Sequence, residues 1–563
     1  MILPRSLTLG LLLFPAGFTA ELPAVEPPAA ATAEPKAGDP AQPDRQTSRK
    51  RQANVTISKE TTYLLGPLRA DGYVDYAAAL NEGCSRGVTP ENNAAVLLWQ
   101  AVDPRPIPEE SRDRFFKELG APNLAKEGGQ FISYDSFVRA RDAKEPPADN
   151  DSSDDSQPDR EMDRALAASW SKKDCPLVAA WLEANEKSLR LVVEATRRPR
   201  YYCPVILKDG DPLLMVGLPL VEASRGAARA LAARAMLRVQ EGKPQDAWED
   251  LLACHRLARL LGQGPNLVDA LVAMSVDGWA CSGDRGLMHF GKLRAEQLRA
   301  MHEQYRRLGP LPGVAGKLRA ERFMYLDAVC LIAREGPERV QLLTDAPEKK
   351  KPSIKQTLGR WVANAAIDWD EVLRIGNGHF DRLDIAASKP PGKERSQLLD
   401  DLLRDIRISQ GRIREPKGIL SELLGGDSPR AIASRRMGAI FAGLLLPAID
   451  AVFRAEDRSA TQMQLTDVSF ALAAYRADRG QYPRRLAELH PKYLAEMPKD
   501  LFTDAEFRYR REGTGYLLYS LGPNGEDEGG RSRHDDVPPD QEPDYDADDI
   551  AVRVPAAGGR KSP

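Results

Sequence analysis

The sequence predicts a mostly α-helical, multi-domain chain, in which an irregular all-α domain precedes a small α+β module with a long helix and a short antiparallel sheet. Apolar residues recur at spacings of three and four over residues 164–430, as one buried face of a helix requires. Segments rich in proline or acidic residues divide the 563 residues into several parts. Near the C-terminus, apolar and polar residues alternate as they do in half-buried strands.

Residues 1–20 have the pattern of a signal peptide, with Arg5 ahead of an apolar stretch at 7–18. That stretch is shorter than the roughly 20 apolar residues of a membrane-spanning helix. Residues 21–60 follow as a linker rich in proline and alanine, which we expect to be disordered because it has little apolar surface to bury. The sequence therefore predicts export to the periplasm or cell envelope.

Helical signals then continue in two parts. Residues 61–141 are predicted to form an N-terminal helical segment, in which Thr89 and Pro90 suit the start of a helix. An acidic linker at 142–163, predicted to be disordered, separates it from the all-α domain at 164–430. In that domain Pro176 suits the first turn of a single helix that continues to residue 196, before Pro199 stops it.

One segment of the all-α domain has the pattern of a helical hairpin. The string RAMLRVQEGKPQDAWEDLLACHRLARLL resembles one tetratricopeptide-type unit, two helices joined by a short turn that contains glycine. No second copy follows at a fixed period, and repeat arrays need about three units to bury a continuous core. The sequence therefore favours an irregular helical domain over a repeat array.

The motifs that carry chemistry are incomplete. His302 begins the metal-binding pattern HExxH, but Arg306 occupies the second ligand position. The six cysteines include no CxxC pair, so we expect buried free thiols rather than a zinc or redox motif. Lys and Arg total 79 against 82 for Asp and Glu, which gives no basic excess for binding nucleic acid. The sequence therefore predicts no catalytic residue and no nucleic-acid partner.

The C-terminal module is predicted at residues 431–522. An apolar helix with Met437 near its start is interrupted at Pro447, and residues 437–453 are expected to contact a membrane. A second, amphipathic helix spans 461–479 and stops at Gly480. Residues 506–510 and 516–521 read as two strands, and residues 523–563 as an acidic loop and disordered tail.

Two strings in this module, AAYRADRGQYPRRLAELHPKYLAEMPKDLF and FRYRREGTGYLLYSLGPNGEDEGG, are followed by DADDI. Together they resemble the C-terminal domain of the type II secretion major pseudopilin, in which a helix packs on a small antiparallel sheet and the loop after the SLG strand binds calcium. The resemblance implies calcium ligation by Asn524 and Asp527, with Asp548 or Asp549 as the acid before the closing isoleucine. The loop is longer than in that family, and the apolar helix is internal, so the prepilin cleavage signal is missing. The remainder resembles uncharacterised exported bacterial proteins.

We therefore expect a non-catalytic exported envelope protein, a helical scaffold or interaction domain that binds a protein partner through or beside its pseudopilin-like module. One alternative is a periplasmic enzyme whose site lies in the helical domain, with acidic residues or His255 and His302 lining one concave pocket. Another is a tetratricopeptide-like adaptor with two or more stacked hairpins. The sequence leaves these alternatives open.

Overall fold

A computed structural model describes residues 54–102, 106–122, 130–143, 157–208, 211–336, 367–414, 427–532 and 547–554. The predicted signal peptide at 1–20, nearly all of the linker at 21–60 and the middle of the linker at 142–163 lie outside the described residues. Two ends of these linkers are structured. Thr56 N donates to Asp370 Oδ1 at 2.8 Å, and residues 157–163 lie in a helix, because both segments carry apolar side chains that the domain buries.

The described helices are α1 (Tyr76–Cys84), α2 (Ala94–Ala101), α3 (Glu109–Leu119), α4 (Tyr134–Asp142), α5 (Gln157–Ala167), α6 (Pro176–Ala184), α7 (Glu186–Ala195), α8 (Pro219–Gln240), α9 (Pro244–Leu261), α10 (Leu267–Phe290), α11 (Ala295–Arg307), α12 (Leu318–Glu335), α13 (Trp369–Ala387), α14 (Lys393–Arg414) and α15 (Pro429–Arg479). The strands are β1 (Arg508–Glu512), β2 (Gly515–Ser520) and β3 (Ile550–Val554). The predicted fold class, mostly α with a small antiparallel sheet, is confirmed.

The sheet contains one strand more than the sequence analysis placed. Antiparallel pairing gives the order β1-β2-β3, with Leu518 opposite Tyr509 on one side and Val552 on the other. β3 lies in the segment expected to be a disordered tail. It forms because Ile550, Val552 and Val554 alternate on one face and are buried against α15.

The helix expected at 176–196 is instead two helices, α6 and α7, divided at Asn185. The buried side chain of Asn185 forms hydrogen bonds with both backbone polar groups of Ile132, which lies in an extended segment. Asn185 Oδ1 accepts from Ile132 N at 2.7 Å, and Nδ2 donates to Ile132 O at 3.1 Å. A buried amide with both functions paired at one residue fixes the position of that segment. The break therefore follows from a tertiary contact rather than from a local stop signal.

Helix α15 is continuous over 51 residues and passes through Pro447, where an interruption was expected. Ser428 caps its start by accepting from Ala431 N, and Gly480 ends it in a left-handed conformation with φ 77°. Its first half packs on α13 and α14, and its second half packs on α10 and α11. Packing on both sides of Pro447 offsets the missing backbone hydrogen bond.

Three of the four buried apolar clusters among the described residues are large, and they do not follow the predicted domain boundaries. The first joins α2–α9, parts of α10 and α11, and Phe470 of α15. The second joins α1 with α12, α13, α14 and the first half of α15. The third lies between the second half of α15 and the sheet. Segments on both sides of residues 141 and 430 therefore share cores.

Several of the described side chains in the apolar part of α15 are buried against neighbouring helices. Phe441, Ile449 and Phe453 lie in the second core, although Ile440 is 41% exposed. Among the described residues, no helix combines the length and the apolar composition needed to cross a bilayer.

Candidate functional site

The acidic loop that follows β2 begins with a tight approach between two segments. Gly522 has φ 65°, and a Cβ atom there would lie 2.3 Å from Asp548 Oδ1 and 2.4 Å from Asp548 O. Only a residue without a side chain fits this distance and this conformation. Gly530 has φ 81°, and its N–H donates to Asp549 Oδ2 at 2.8 Å. The two glycines therefore hold the end of β2 against the residues that lead into β3.

The structure brings the predicted ligands Asn524, Asp548 and Asp549 to this loop. Asn524 N donates to Asp548 Oδ2 at 3.2 Å, and Asn524 Oδ1 accepts from Glu526 N at 2.7 Å. Asp527 faces the sheet instead, where Oδ1 accepts from Tyr519 O–H at 2.9 Å. Of the four predicted residues, Asp527 is therefore already engaged by a strand side chain.

Glu528, which is not among the ligands predicted from the sequence, lies beside Asp549. Asn524 Nδ2 donates to Glu528 Oε1 at 2.7 Å, while Glu528 Oε2 and Asp549 Oδ1 are buried and no donor in the described part of the chain reaches them. Asp549 is 1% exposed. Burial, together with the adjacent carboxylates of Glu528 and Asp527, raises the pKa of Asp549 to about 7.

These oxygens fit a hard cation. Calcium takes six to eight oxygen ligands from carboxylates, amide and backbone carbonyls and water, and it tolerates irregular geometry. Glu528 and Asp549 each offer an oxygen that no donor among the described residues reaches, and the exposed side of the loop at Asn524 is open to water. In the sequence, Glu528 could have been noticed only as one of the acidic residues that follow the SLG strand. Its proximity to Asp549 could not be seen, because the two residues are 21 positions apart.

His255 lies in a second cluster of titratable groups, buried between α9 and α10. Its Nδ1 lies 2.7 Å from Asp277 Oδ1, and its Nε2 lies 3.0 Å from Asp284 Oδ2. Arg259 Nη1 donates to Asp277 Oδ1 at 2.5 Å, and Cys281 Sγ lies 3.8 Å from Asp277 Oδ2. Asp277 and Asp284 are seven residues apart, so they lie on the same face of α10, a helix otherwise rich in apolar and small residues. This spacing is the feature of the sequence that could have identified them as candidate site residues.

His302 does not join His255 in an open pocket. His302 Nε2 lies 2.7 Å from Asp467 Oδ1, and its ring stacks on Phe470 with centroids 5.3 Å apart. His255 contacts Tyr305, whose ring in turn contacts Phe470. Both histidines therefore border one aromatic cluster inside the core, where His255 is 0% and His302 is 7% exposed.

Two surface cavities lie elsewhere. One of about 400 Å³ lies between residues 390–394 and 499–504. Another of about 630 Å³ lies between α1, α12 and residues 202–211. In the larger cavity Arg69 pairs with Asp327 at 3.4 Å and Arg334 with Asp71 at 2.5 Å, so much of its charge is paired within the protein. Neither cavity is lined by His255 or His302.

The predicted hairpin is present as α8 and α9, joined at Gly242 with φ 73°. A buried ion pair holds it together: Arg234 Nε and Nη2 donate to Asp250 Oδ2 and Oδ1 at 3.0 and 2.7 Å. Helix α10 packs on both helices of the hairpin. The inner faces of the hairpin therefore belong to the core.

All six cysteines are free thiols, and Cys175, Cys254, Cys281 and Cys330 are buried.

No family model, curated protein or solved structure matches this chain. Its function is therefore argued from its own residues.

Proposed function

We propose that this chain is a non-catalytic exported protein of the cell envelope, a helical scaffold whose C-terminal helix and sheet are stabilised by calcium and which binds a protein partner. The observation that carries the proposal is the pair of buried carboxylate oxygens, Glu528 Oε2 and Asp549 Oδ1, which accept no hydrogen bond from any donor among the described residues. The signal-peptide pattern at residues 1–20 supports export.

Two adjacent buried carboxylates repel each other unless a proton or a cation lies between them. The raised pKa of Asp549 reflects this repulsion together with burial. A divalent cation removes the repulsion at neutral pH and also satisfies the unpartnered oxygens of Glu528 and Asp549. Because the described donors of this loop are oxygens, the site favours calcium over zinc or copper.

The ion would connect two parts of the chain that pair in the sheet. Glu528 follows β2, whereas Asp549 directly precedes β3. A bridge between Ser532 and Asp548 already joins the same two segments. Calcium bound there would hold β3 against β2 and so complete the face that packs on α15. The ion would therefore act as a structural ligand, consistent with a scaffold.

The test is calcium titration of the purified full-length chain by calorimetry, with thermal melting in calcium and in a chelator. We expect saturable binding of one ion and a higher Tm in calcium, since a ligand at 100 times its Kd stabilises the folded state by about 2.7 kcal/mol. Glu528→Gln and Asp549→Asn should each weaken binding at least tenfold. Glu526→Gln is the matched control, because the exposed Glu526 takes part through its backbone N–H.

Absence of both binding heat and a Tm shift in the natural sequence would contradict the calcium assignment. Equal calcium affinity in Glu526→Gln and Asp549→Asn would contradict the site. Export is tested separately by fusing residues 1–60 to a reporter that is active only outside the cytoplasm. A reporter that remains inactive would remove the envelope location while leaving the calcium result intact.

A further inference from the structure

The buried cluster on α9 and α10 has the composition of a metal site distinct from the acidic loop. One nitrogen, one sulfur and one carboxylate oxygen, from His255, Cys281 and Asp277, lie within 4.8 Å of one another. Their side chains are 0–1% exposed. Asp277 and Cys281 are four residues apart, so both project from one face of α10 toward His255 on α9.

We propose that His255, Asp277 and Cys281 bind one zinc ion, with Asp284 as the residue that positions the imidazole. A neutral histidine that donates its Nε2–H to Asp284, 3.0 Å away, keeps the lone pair of Nδ1 for a metal. A carboxylate on the far nitrogen is the usual partner of a metal-bound histidine, because it fixes both the tautomer and the ring orientation.

The ligand types favour zinc over calcium or magnesium. Thiolate and imidazole are ligands that zinc prefers, whereas calcium and magnesium prefer oxygen. Arg259 occupies Asp277 Oδ1, which leaves Oδ2, the oxygen 3.8 Å from Cys281 Sγ, to face the ion. In a tetrahedral site with bonds of about 2.0–2.3 Å, ligand atoms are roughly 3.3–3.8 Å apart. The Sγ–Oδ2 separation already fits this range, and the ion would replace the 2.7 Å contact between His255 Nδ1 and Asp277 Oδ1.

Metal ligation requires Cys281 as a thiolate and His255 as a neutral imidazole, so zinc binding releases protons. In the zinc-bound cluster, the charges of Zn²⁺ and Arg259 would balance those of the Asp277 and Asp284 carboxylates and the Cys281 thiolate. Burying a net charge is expensive, and this set of ligands and neighbours avoids it. Because the site is closed to solvent, zinc would bind as the chain folds.

The test is the metal content of the full-length chain, purified after expression in zinc-supplemented medium and measured by inductively coupled plasma mass spectrometry. We expect about one zinc per chain in the natural sequence and at least a tenfold loss in Cys281→Ser. Cys254→Ser is the matched control: Cys254 is equally buried on α9 beside His255, but its Sγ faces Ala228 O at 3.5 Å. This control should keep its zinc.

Refolding of the natural sequence with cobalt gives a second readout that needs no variant. A thiolate ligand produces a charge-transfer band in the near ultraviolet, and we expect that band at one cobalt per chain. A folded natural protein without zinc and without the cobalt band would refute the site and leave an imidazolium held between two carboxylates. Equal zinc content in Cys281→Ser and Cys254→Ser, or copper in place of zinc, would also overturn the proposal.

Discussion

The side chain of Phe470 tests whether the C-terminal module and the helical region unfold together. Phe470 lies in the second half of α15 and is completely buried. Its ring contacts those of Trp248, His302 and Tyr305, with centroids 5.8, 5.3 and 5.7 Å away. The same helix supplies Leu472 to the core beneath the sheet. Phe470→Ala therefore removes a contact between the helix that supports the sheet and the helical core.

The size of the expected effect depends on which part of the chain unfolds as a unit. Replacing a fully buried phenylalanine with alanine costs about 3–5 kcal/mol. An unfolding entropy of about 2.1 cal/mol/K per residue gives a decrease in Tm of about 4–6 °C for a cooperative unit of roughly 400 residues. A module of roughly 100 residues that unfolded alone would show a decrease of about 14–24 °C. Because Phe470 joins the first core to α15, we expect the smaller decrease in a single transition.

Tryptophan fluorescence follows the helical region specifically, since all seven tryptophans precede residue 429 and the sheet contains none. The companion variant Leu472→Ala changes the core beneath the sheet, a cluster of described residues that contains no tryptophan. We expect Leu472→Ala to lower the Tm seen by tryptophan fluorescence by about 2–6 °C, as a cooperative unit requires. A tryptophan transition that is unchanged in Leu472→Ala, while far-ultraviolet circular dichroism shows an earlier loss of structure, would refute the reasoning.

Three further predictions concern buried polar groups. Asp250→Asn should destabilise the chain by about 3–5 kcal/mol in urea denaturation, because the buried Arg234 loses its buried carboxylate and keeps only the exposed Glu186 as a charged partner. Burial raises the pKa of Glu321 to about 7, above the value of about 4.5 for an unburied glutamate. Protonated Glu321 therefore favours the folded state below pH 4.5, and this contribution of about 3 kcal/mol is lost as the pH rises to 7. Glu321→Gln keeps the acceptor for Leu267 N and should therefore be the more stable protein in melts at pH 8 and lose that advantage at pH 4.5. Asn185→Ala should cost about 1–3 kcal/mol in thermal melts, because it leaves buried backbone groups unpaired.

Much of the fold was predictable because its signals are local. Apolar spacing, caps and prolines depend on residues within one or two turns. They indicated the helical character of residues 61–141 and 164–430, and they located the α8–α9 hairpin and the strand pair β1 and β2. The predicted helix boundaries were wrong where a contact with residues distant in sequence changed the local structure. Asn185 divides a helix because it binds the backbone at Ile132, and α15 continues through Pro447 because helices pack on both sides.

Of the acidic loop, the sequence located Asn524, Asp548 and Asp549, since the resemblance follows the order of elements along the chain. The partnership of Glu528 with Asp549 could not be predicted, because it depends on how β2 and β3 pair. His255 was selected as a candidate, but its acidic neighbours are 22 and 29 residues away on another helix.

The sequence by itself determined that this chain is mostly helical, that it ends in a small antiparallel module, and which residues prefer burial. These properties follow from periodicity, which is a short-range property of the chain. Only the tertiary structure decided which helix faces meet, that the predicted segments share cores, and which titratable groups lie in a low-dielectric interior. The physical reason is that burial, electrostatic repulsion and ligand geometry depend on separations in space, which residue spacing does not specify.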